Sequence, residues 1–372
     1  MNIERYLQKK VEERREAGNF RSLKVIDGFI DFTSNDYIGL SRNPLFQQRL
    51  AEEIERNNFA KIGSTGSRLL SGNSAYAELV ESEIATFHEA ESCLIFNSGF
   101  DANYGLLSTL GRENSLLVLD ELIHASMRDG ARASKAEKQF FKHNNVAHLE
   151  DILASSKHEL KFVAIESLYS MDGDFAHLEA IANVCEKYGA NLIVDEAHAT
   201  GVVGEKGEGL VQHLNLQHKI FARVVTFGKA LGAHGACVLG NANLKSFLVN
   251  YCRPFIFSTA ATFHSFSAIR TAYSLLSELK NEREQLQRNI DFFLTTYDLR
   301  LTTIVHSTTH IQSIIVSGNE AVTRLSEKLQ EQGIDARPIR FPTVPKGAER
   351  IRICLHSFNT KEEIQKLFDA LL

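Results

Sequence analysis

The sequence has 372 residues, a formal net charge of -5 and a hydrophobic content of 44%. This composition is typical of a globular protein, and the acidic balance offers no basic surface for nucleic acid. No apolar run reaches membrane-spanning length, and the charged start MNIERYLQKKVEERREAG lacks the apolar core of a signal peptide. The chain has more residues than usually share one hydrophobic core, so we expect two domains.

Cysteine usage indicates a reducing compartment. The five cysteines are odd in number, widely scattered and without the paired spacing of a metal site. We therefore expect buried free thiols, a cytoplasmic protein and no bound metal. The cysteines are Cys93, Cys185, Cys237, Cys252 and Cys354.

The N-terminal segment forms an arm ahead of the first large domain. Residues 1–18 are predicted to be a helix with Tyr6, Leu7 and Val11 on one side, and Gly18 ends it. A short strand follows in FIDFTSNDYIG, and its polar end carries Asn35 in a sequence that also favours a plain turn. We place the boundary of this arm at residue 38.

A loop rich in glycine and serine, FAKIGSTGSRLLSG, spans residues 59–72. It lacks the lysine of a nucleotide phosphate loop. A helix over 76–87, the buried strand SCLIF and a new helix come next, and Ser98, Gly99 and Phe100 stand at the second helix's start. Backbone amides at a helix start bind anions, so a phosphate site is predicted here, with an ordinary strand-to-helix turn as the alternative.

Polar residues then follow one apolar strand after another. LLVLD precedes His124, QFFKHN is a further strand, and KFVAIE precedes Ser170. NLIVD contributes Asp195 and then His198. Helices over 146–155 and 177–188 separate these strands, which predicts βαβ units, a mainly parallel sheet and a ligand at the carboxyl ends of its strands.

The next strand, VVT, ends at Thr226 and leads to Lys229, which Gly228 and Ala230 flank. Small neighbours allow a flat ligand to approach the lysine closely. Pyridoxal phosphate requires a lysine amine for covalent attachment and a carboxylate that keeps its ring nitrogen protonated. Lys229 alone would be interpreted as a solvated loop lysine. Together with Asp195 and His198 on the preceding strand, it predicts a pyridoxal phosphate site.

The two motifs VDEAHATG and TFGKALG resemble those of the α-oxoamine synthases. These are aminotransferase-like pyridoxal phosphate enzymes of fold type I, and the resemblance extends from about residue 21 to the C-terminus. It implies an α/β fold with a mainly parallel sheet flanked by helices, followed by a smaller α+β domain. The domains expected are an arm over 1–38, a cofactor domain over 39–270 and a C-terminal domain over 271–372.

The resemblance also implies roles for individual residues around the cofactor. His124, in the sequence DELIHAS, would stack on the ring and hydrogen-bond a ketone, and Ser170 would contact the cofactor. Ser258 and Thr259 in FSTAAT would reach the phosphate of a partner subunit, which makes a homodimer the expected assembly. This chain has Ala261-Thr262 where the family has a Pro pair, and Ala77 where it has a histidine.

After a long helix predicted over 268–292, the C-terminal domain alternates strands and helices. Its loop PTVPKGAERIRI resembles a family sequence in which an arginine clamps the amino acid carboxylate, which assigns Arg352 to that role and Thr343 to the substrate side. Asn35 would lie near the same carboxylate. Arg21 either meets an acyl-CoA substrate or is a surface arginine.

The resemblance implies decarboxylative condensation of an amino acid with an acyl thioester, with Lys229 as general base and Asp195 controlling the ring nitrogen. The PTVP loop and the GSR-containing loop favour L-alanine and a pimeloyl thioester of CoA or acyl carrier protein, in biotin biosynthesis. Glycine C-acetyltransferase, serine palmitoyltransferase and autoinducer synthases share most of these motifs and stay open.

Two other classes of protein fit less well. DEAH also marks helicases, but these need a phosphate-loop lysine that the sequence lacks. A cofactor-binding transcriptional regulator would need a DNA-binding module for which the chain has no spare length.

Overall fold

The computed structural model describes residues 2–25, 27–59, 61–296, 304–305 and 307–371. Met1 of the predicted first helix and Ala60 of the predicted glycine-rich loop lie outside the described residues. The chain divides into a large unit, residues 38–170 and 175–283, and a small unit, residues 1–37, 171–174 and 284–372. The predicted domain boundaries stay a prediction.

The strands and helices alternate through the middle of the chain. The described strands are β1 (Ile30–Asp31), β2 (Ser92–Phe96), β3 (Ser115–Asp120), β4 (Glu137–Phe141), β5 (Leu160–Glu166), β6 (Ala190–Asp195), β7 (Ala222–Thr226), β8 (Ala236–Gly240), β9 (Ile304–Val305), β10 (Ile311–Ile315), β11 (Ile334–Asp335), β12 (Arg337–Ile339) and β13 (Arg350–Cys354). The described helices are α1 (Ile3–Glu16), α2 (Pro44–Asn57), α3 (Ala75–Phe87), α4 (Gly99–Leu110), α5 (Ala125–Ala133), α6 (Val146–Ser155), α7 (Leu178–Lys187), α8 (Leu210–His213), α9 (Ala242–Tyr251), α10 (Arg253–Ile256), α11 (Phe263–Leu276), α12 (Lys280–Thr296), α13 (Asn319–Glu331) and α14 (Lys361–Leu371).

A seven-stranded sheet in the order β2-β8-β7-β6-β5-β3-β4 forms the centre of the large unit. Strands β4, β3, β5, β6 and β7 pair in parallel, and β8 runs antiparallel to both of its neighbours. Strands β3, β6 and β7 are buried along most of their length, as apolar runs between helices require. The predicted mainly parallel sheet is confirmed. The polar residues that follow its parallel strands therefore lie at one edge of the sheet, where these strands end.

The small unit contains an antiparallel sheet in the order β12-β13-β10-β9 and a parallel pair of β1 with β11. Helix α13 packs against β12, β13 and α14. Helix α14 begins with the predicted capping box: the Thr360 backbone N–H donates to Glu363 Oε2 at 2.9 Å, and the Glu363 N–H donates to Thr360 Oγ1 at 3.2 Å. These contacts fix the start of the last helix.

The long helix predicted over 268–292 is wrong, because two helices, α11 and α12, occupy this stretch with a break at 277–279. Leu279 is buried at the break, and the Arg283 guanidinium donates to the Leu276 carbonyl at the end of α11, at 2.8 Å. A side chain thus satisfies a carbonyl that a continuing helix would have bonded.

All five cysteines are buried and none of them forms a disulfide bond, as predicted. Among the described residues, no helix combines the length and the apolar character that a membrane span requires.

Candidate active site

Three of the predicted residues lie together where strands β6 and β7 of the large unit end. Asp195 is the last residue of β6, and His198 follows it in a buried turn. Lys229 follows β7, and its Nζ lies 2.6 Å from His198 Nε2. The parallel pairing of β6 with β7 explains this proximity, because it brings both strand ends to one edge of the sheet.

The Asp195 carboxylate is 4% exposed and is held by two hydrogen bonds. The Ala197 N–H donates to Asp195 Oδ1 at 2.8 Å, and Asn103 Nδ2 donates to Asp195 Oδ2 at 2.6 Å. A carboxylate can accept about four hydrogen bonds, so Asp195 keeps acceptor capacity for a protonated ring nitrogen.

His124 lies ahead of helix α5 and caps it. Its Nδ1 accepts from the Ser126 backbone N–H at 3.2 Å and lies 2.7 Å from Ser126 Oγ. Burial lowers the pKa of His124, with the charge of Asp195 opposing this effect and that of Lys229 reinforcing it. A neutral imidazole is therefore favoured, which suits stacking on an aromatic ring.

Glu166 is a second buried carboxyl group, at the end of β5 and directly opposite Asp195 in the strand pairing. Burial, reinforced by the Asp195 charge, raises the pKa of Glu166 to about 8. Glu166 is therefore mainly neutral near pH 7, and the anionic charge resides on Asp195.

The start of helix α4 is the place where the sequence predicts an anion site. Ser98 caps the helix by accepting from the Asp101 N–H at 3.0 Å. A Cβ added to Gly99 would lie 2.6 Å from Thr226 Cγ2, so only glycine allows this close approach of α4 to β7. Thr226 Oγ1 is buried and has no hydrogen-bond partner in the described structure. A phosphate bound by the first amides of α4 could supply that partner.

The remaining predicted cofactor residues contribute less to this cluster. The Phe100 side chain is 48% exposed and stacks on Tyr104, so its backbone rather than its ring suits an anion. Ser170 is half-buried after β5. Ser258 is half-buried and Thr259 is exposed, and the Thr259 carbonyl accepts from Asn97 Nδ2 at 2.8 Å.

The small unit holds Arg352 on β13. Arg352 Nη2 donates to Asn35 Oδ1 at 3.2 Å and to the Tyr37 hydroxyl oxygen at 3.3 Å, and that hydroxyl donates to Asn35 Oδ1 at 2.8 Å. Tyr37 is buried, and burial raises the pKa of Tyr37 while the Arg352 charge opposes the rise. The predicted pair of Asn35 and Arg352 is therefore brought together, with Tyr37 bonded to both.

Arg21 and Thr343 also meet within the small unit. Both are exposed, and Arg21 Nη2 donates to Thr343 Oγ1 at 3.4 Å. The nearby Arg340 guanidinium donates to the Gly18 and Phe20 carbonyls at 3.2 Å each, which holds the segment that carries Arg21.

The sequence analysis missed Asn103, Ser126, Glu166 and Tyr37. Asn103 lies in the middle of α4, where only its polar character within the apolar stretch FDANYGLL could have drawn attention. Glu166 ends its strand just as Asp195 does, a signal that was available but not used. The residues present at the sheet edge fit pyridoxal phosphate: a lysine, a buried carboxylate, a buried unsatisfied hydroxyl and a helix start shaped by glycine.

Comparison with known proteins supports this fit. Residues 27–371 match the family described as aminotransferase class I and II. An 8-amino-7-oxononanoate synthase from Emericella nidulans is 40% identical, and the match covers 98% of this chain and 94% of the relative.

Two solved structures share the fold. The 8-amino-7-oxononanoate synthase from Francisella tularensis is 29% identical with a TM-score of 0.79, covering 93% of this chain and 97% of that one. A high-resolution structure of SPT with PLP is 25% identical with a TM-score of 0.88, covering 98% and 95%. The architecture is thus the fold-type I α/β fold, and the chain belongs to the aminotransferase class I and II family.

Proposed function

We propose that this protein is a pyridoxal phosphate enzyme of the α-oxoamine synthase type. It condenses L-alanine with a pimeloyl thioester, carried by CoA or acyl carrier protein, and releases carbon dioxide and the thiol to give 8-amino-7-oxononanoate for biotin biosynthesis. The name and the 40% identity of the Emericella nidulans relative support this choice of substrates.

The observation that carries the proposal is the 2.6 Å contact between Lys229 Nζ and His198 Nε2. It lies beside the buried Asp195 carboxylate, since Lys229 follows β7 and Asp195 ends the neighbouring strand β6. A lysine that only interacts with solvent would not require a contact with a buried histidine beside a buried carboxylate. Lys229 is the covalent attachment point for the cofactor, and Asp195 holds the ring nitrogen. His198 lies where it can bond the ring hydroxyl.

Bound pyridoxal phosphate withdraws electrons from the α-carbon of the amino acid. With the cofactor bound, Lys229 would accept the α-proton of the amino acid as general base. Neutral His124 would stack on the cofactor ring and donate a hydrogen bond to the ketone. Asp195 supplies the fixed negative charge that keeps the ring nitrogen protonated.

The phosphate group would be held by the backbone amides of Ser98, Gly99 and Phe100 and by the Thr226 hydroxyl, and Ser170 would contact the cofactor. Thr226 Oγ1 supports this assignment, because it is buried and no described residue hydrogen-bonds to it. Ser258 and Thr259 reach the phosphate bound by a partner subunit, so the assembly is a homodimer. The five buried cysteines form no disulfide bond, which supports a cytoplasmic location.

Arg352 binds the carboxylate of the amino acid, because a planar guanidinium can donate two parallel hydrogen bonds to it. Asn35 and Tyr37 hold that guanidinium at 3.2 and 3.3 Å. Thr343 faces the substrate. Arg21 donates a hydrogen bond to Thr343, which supports a role for Arg21 in binding the acyl thioester.

A second candidate is condensation of L-serine with a long-chain acyl-CoA. The similarity to SPT, with a TM-score of 0.88 over 98% of this chain, favours it. The two reactions share the cofactor chemistry and differ in the amino acid side chain and the acyl chain.

The test is a matrix of free-thiol release with L-alanine, glycine and L-serine against pimeloyl-CoA, acetyl-CoA and palmitoyl-CoA. The highest kcat/KM is expected for L-alanine with pimeloyl-CoA. A preference for L-serine with palmitoyl-CoA would replace the first candidate by the second, and no thiol release with any pair would refute both.

A further inference from the structure

Asn103 is a buried polar residue in the middle of helix α4, and both of its hydrogen bonds lead to the candidate active site. Its side chain is 2% exposed. Asn103 Nδ2 donates to Asp195 Oδ2 at 2.6 Å and to Ser126 Oγ at 3.1 Å. The Ser126 hydroxyl in turn lies 2.7 Å from His124 Nδ1, and Ser126 is fully buried. One amide therefore links the carboxylate and the imidazole.

The donor and the acceptor can be assigned for each hydrogen bond of this network. His124 Nδ1 already accepts from the Ser126 N–H, so the Ser126 hydroxyl donates its proton to the same nitrogen. The Ser126 oxygen is then free to accept from Asn103. Asp195 is an acceptor only, which orients the Asn103 amide with its nitrogen towards the carboxylate. Neutral His124 consequently carries its proton on Nε2.

Packing does not require an asparagine at this position. The flanking residues of α4, Ala102 and Leu106, belong to the apolar core of the large unit. Asn103 Oδ1 is buried and has no hydrogen-bond partner among the described residues, so burying the amide has a cost that its two hydrogen bonds must offset. Those bonds contribute nothing to the helix itself and reach only Asp195 and Ser126.

We propose that Asn103 is a positioning residue that fixes the Asp195 carboxylate directly and the His124 ring through Ser126. The inference rests on the proposed pyridoxal phosphate function. It adds that Asn103 positions the two residues that would contact the cofactor ring, Asp195 and His124. With Asn103 in place, Asp195 cannot rotate away from the ring nitrogen, and His124 keeps the tautomer that donates through Nε2.

The titratable groups on which the Asp195 charge acts come from neighbouring elements and stay in place when Asn103 is replaced. They are Glu166 at the end of β5 and His124 ahead of α5, and the charge of Lys229 after β7 acts on both of them as well. A change caused by Asn103 is therefore a change in the orientation of Asp195 and His124, with the surrounding charges kept.

The experiment compares wild type with Asn103→Leu, a replacement of similar size that cannot donate. Equilibrium dialysis gives the Kd for pyridoxal phosphate, and the visible absorbance of the bound cofactor is titrated against pH. A less well held ring nitrogen carries less positive charge, which makes protonation of the nearby lysine linkage easier. We expect the Kd to rise about tenfold and the absorbance midpoint to rise by about one pH unit.

Asn289→Leu is the matched control, because Asn289 is also fully buried and its Nδ2 donates twice, to the His356 and Asn359 carbonyls at 2.8 Å each. This control should lose thermal stability and keep the wild-type Kd and midpoint. Asn103→Ser, which removes the amide with a smaller change in polarity, serves if Asn103→Leu does not fold.

Wild-type Kd and midpoint in the folded Asn103 variant would overturn the inference. A wild-type protein that binds no pyridoxal phosphate would instead refute the proposed function, so the two failures are distinguishable.

Discussion

The large unit buries its titratable groups at the edge of a mainly parallel sheet, whereas the small unit holds the half-buried Arg352 on an otherwise buried strand of an antiparallel sheet. In the large unit, Asp195 and Glu166 are 4% and 3% exposed, and burial together with the Asp195 charge raises the pKa of Glu166. In the small unit, Arg352 is permanently charged, and the Asn35 amide and Tyr37 hydroxyl fix its direction.

This difference corresponds to two kinds of task. Proton transfer and cofactor binding need side chains whose protonation the protein can set, and burial is the means of doing so. Recognition of a carboxylate needs a cation of fixed geometry that water can still reach before the substrate binds. Substitutions in the large unit should therefore change cofactor binding and kcat, and substitutions around Arg352 should change the KM for the amino acid.

The largest effect is expected for Lys229→Ala. Without the amine, the protein has neither the covalent attachment point nor the general base, so turnover should fall by at least about 10⁴-fold. Lys206→Ala is the control, because Lys206 is an exposed lysine of the same unit. Condensation by Lys229→Ala at more than a few per cent of the wild-type rate would contradict the assignment, as would an equal loss in the control.

Replacing Arg352 should separate the two units kinetically. Arg352→Gln removes the guanidinium, and we expect the KM for L-alanine to rise about 10- to 100-fold with a much smaller change for the thioester. Arg352→Lys should restore only part of the loss, because an ammonium group cannot form the two parallel bonds.

Arg324→Gln controls for the loss of one positive charge, since Arg324 is exposed and pairs with Glu320 at 2.6 Å. Equal effects of Arg352→Gln on the KM values of both substrates would argue against a carboxylate clamp.

Thr226→Val tests the anion site, because it should weaken cofactor binding without destabilising the cofactor-free protein. Removing a buried hydroxyl that lacks a partner should leave the Tm of the cofactor-free protein unchanged or slightly higher. The Kd for pyridoxal phosphate should rise about tenfold, because one hydrogen bond to the phosphate is lost. Dialysis and thermal unfolding of both states measure the two effects. A lower Tm without cofactor, together with an unchanged Kd, would mean that Thr226 serves packing.

A prediction of another kind, for Glu166→Gln, concerns the pH dependence of stability and not the reaction. The folded-state pKa of Glu166 is about 8, above its ordinary value of 4.5. Stability from this group is fully present below about pH 4.5 and is lost as pH rises through the folded-state pKa. Wild type should therefore lose stability relative to Glu166→Gln between about pH 4.5 and 8, by roughly 1.4 kcal/mol per unit of pKa shift at most.

Thermal unfolding at several pH values checks this expectation. Parallel Tm profiles for the two proteins would show that Glu166 is ionised in the folded state, in conflict with a single anionic charge on Asp195.

The sequence was sufficient to predict the sheet and the cluster of Asp195, His198 and Lys229. Parallel strands place their carboxyl ends at one edge, so residues far apart in the chain could be brought together from strand order alone. Arg352 and Asn35 could be paired only through the family resemblance, since no local pattern connects positions 317 residues apart.

Other features depend on tertiary contacts that no local pattern contains. The break between α11 and α12 depends on the bond from Arg283 to the Leu276 carbonyl. The role of Asn103 depends on the contact of its side chain with Asp195 at the end of β6, whereas helical periodicity alone marks the position as core. The elevated pKa of Glu166 requires knowledge of its burial and of its pairing with Asp195.

Covalent trapping of the cofactor tests the central claim most directly. The purified protein is incubated with pyridoxal phosphate, reduced with borohydride, digested and analysed by mass spectrometry. A phosphopyridoxyl mass on the peptide that contains Lys229, together with visible absorbance before reduction, is the predicted result. A protein that stays colourless, or a label that falls on Lys206 or another exposed lysine and leaves Lys229 unmodified, would contradict the account.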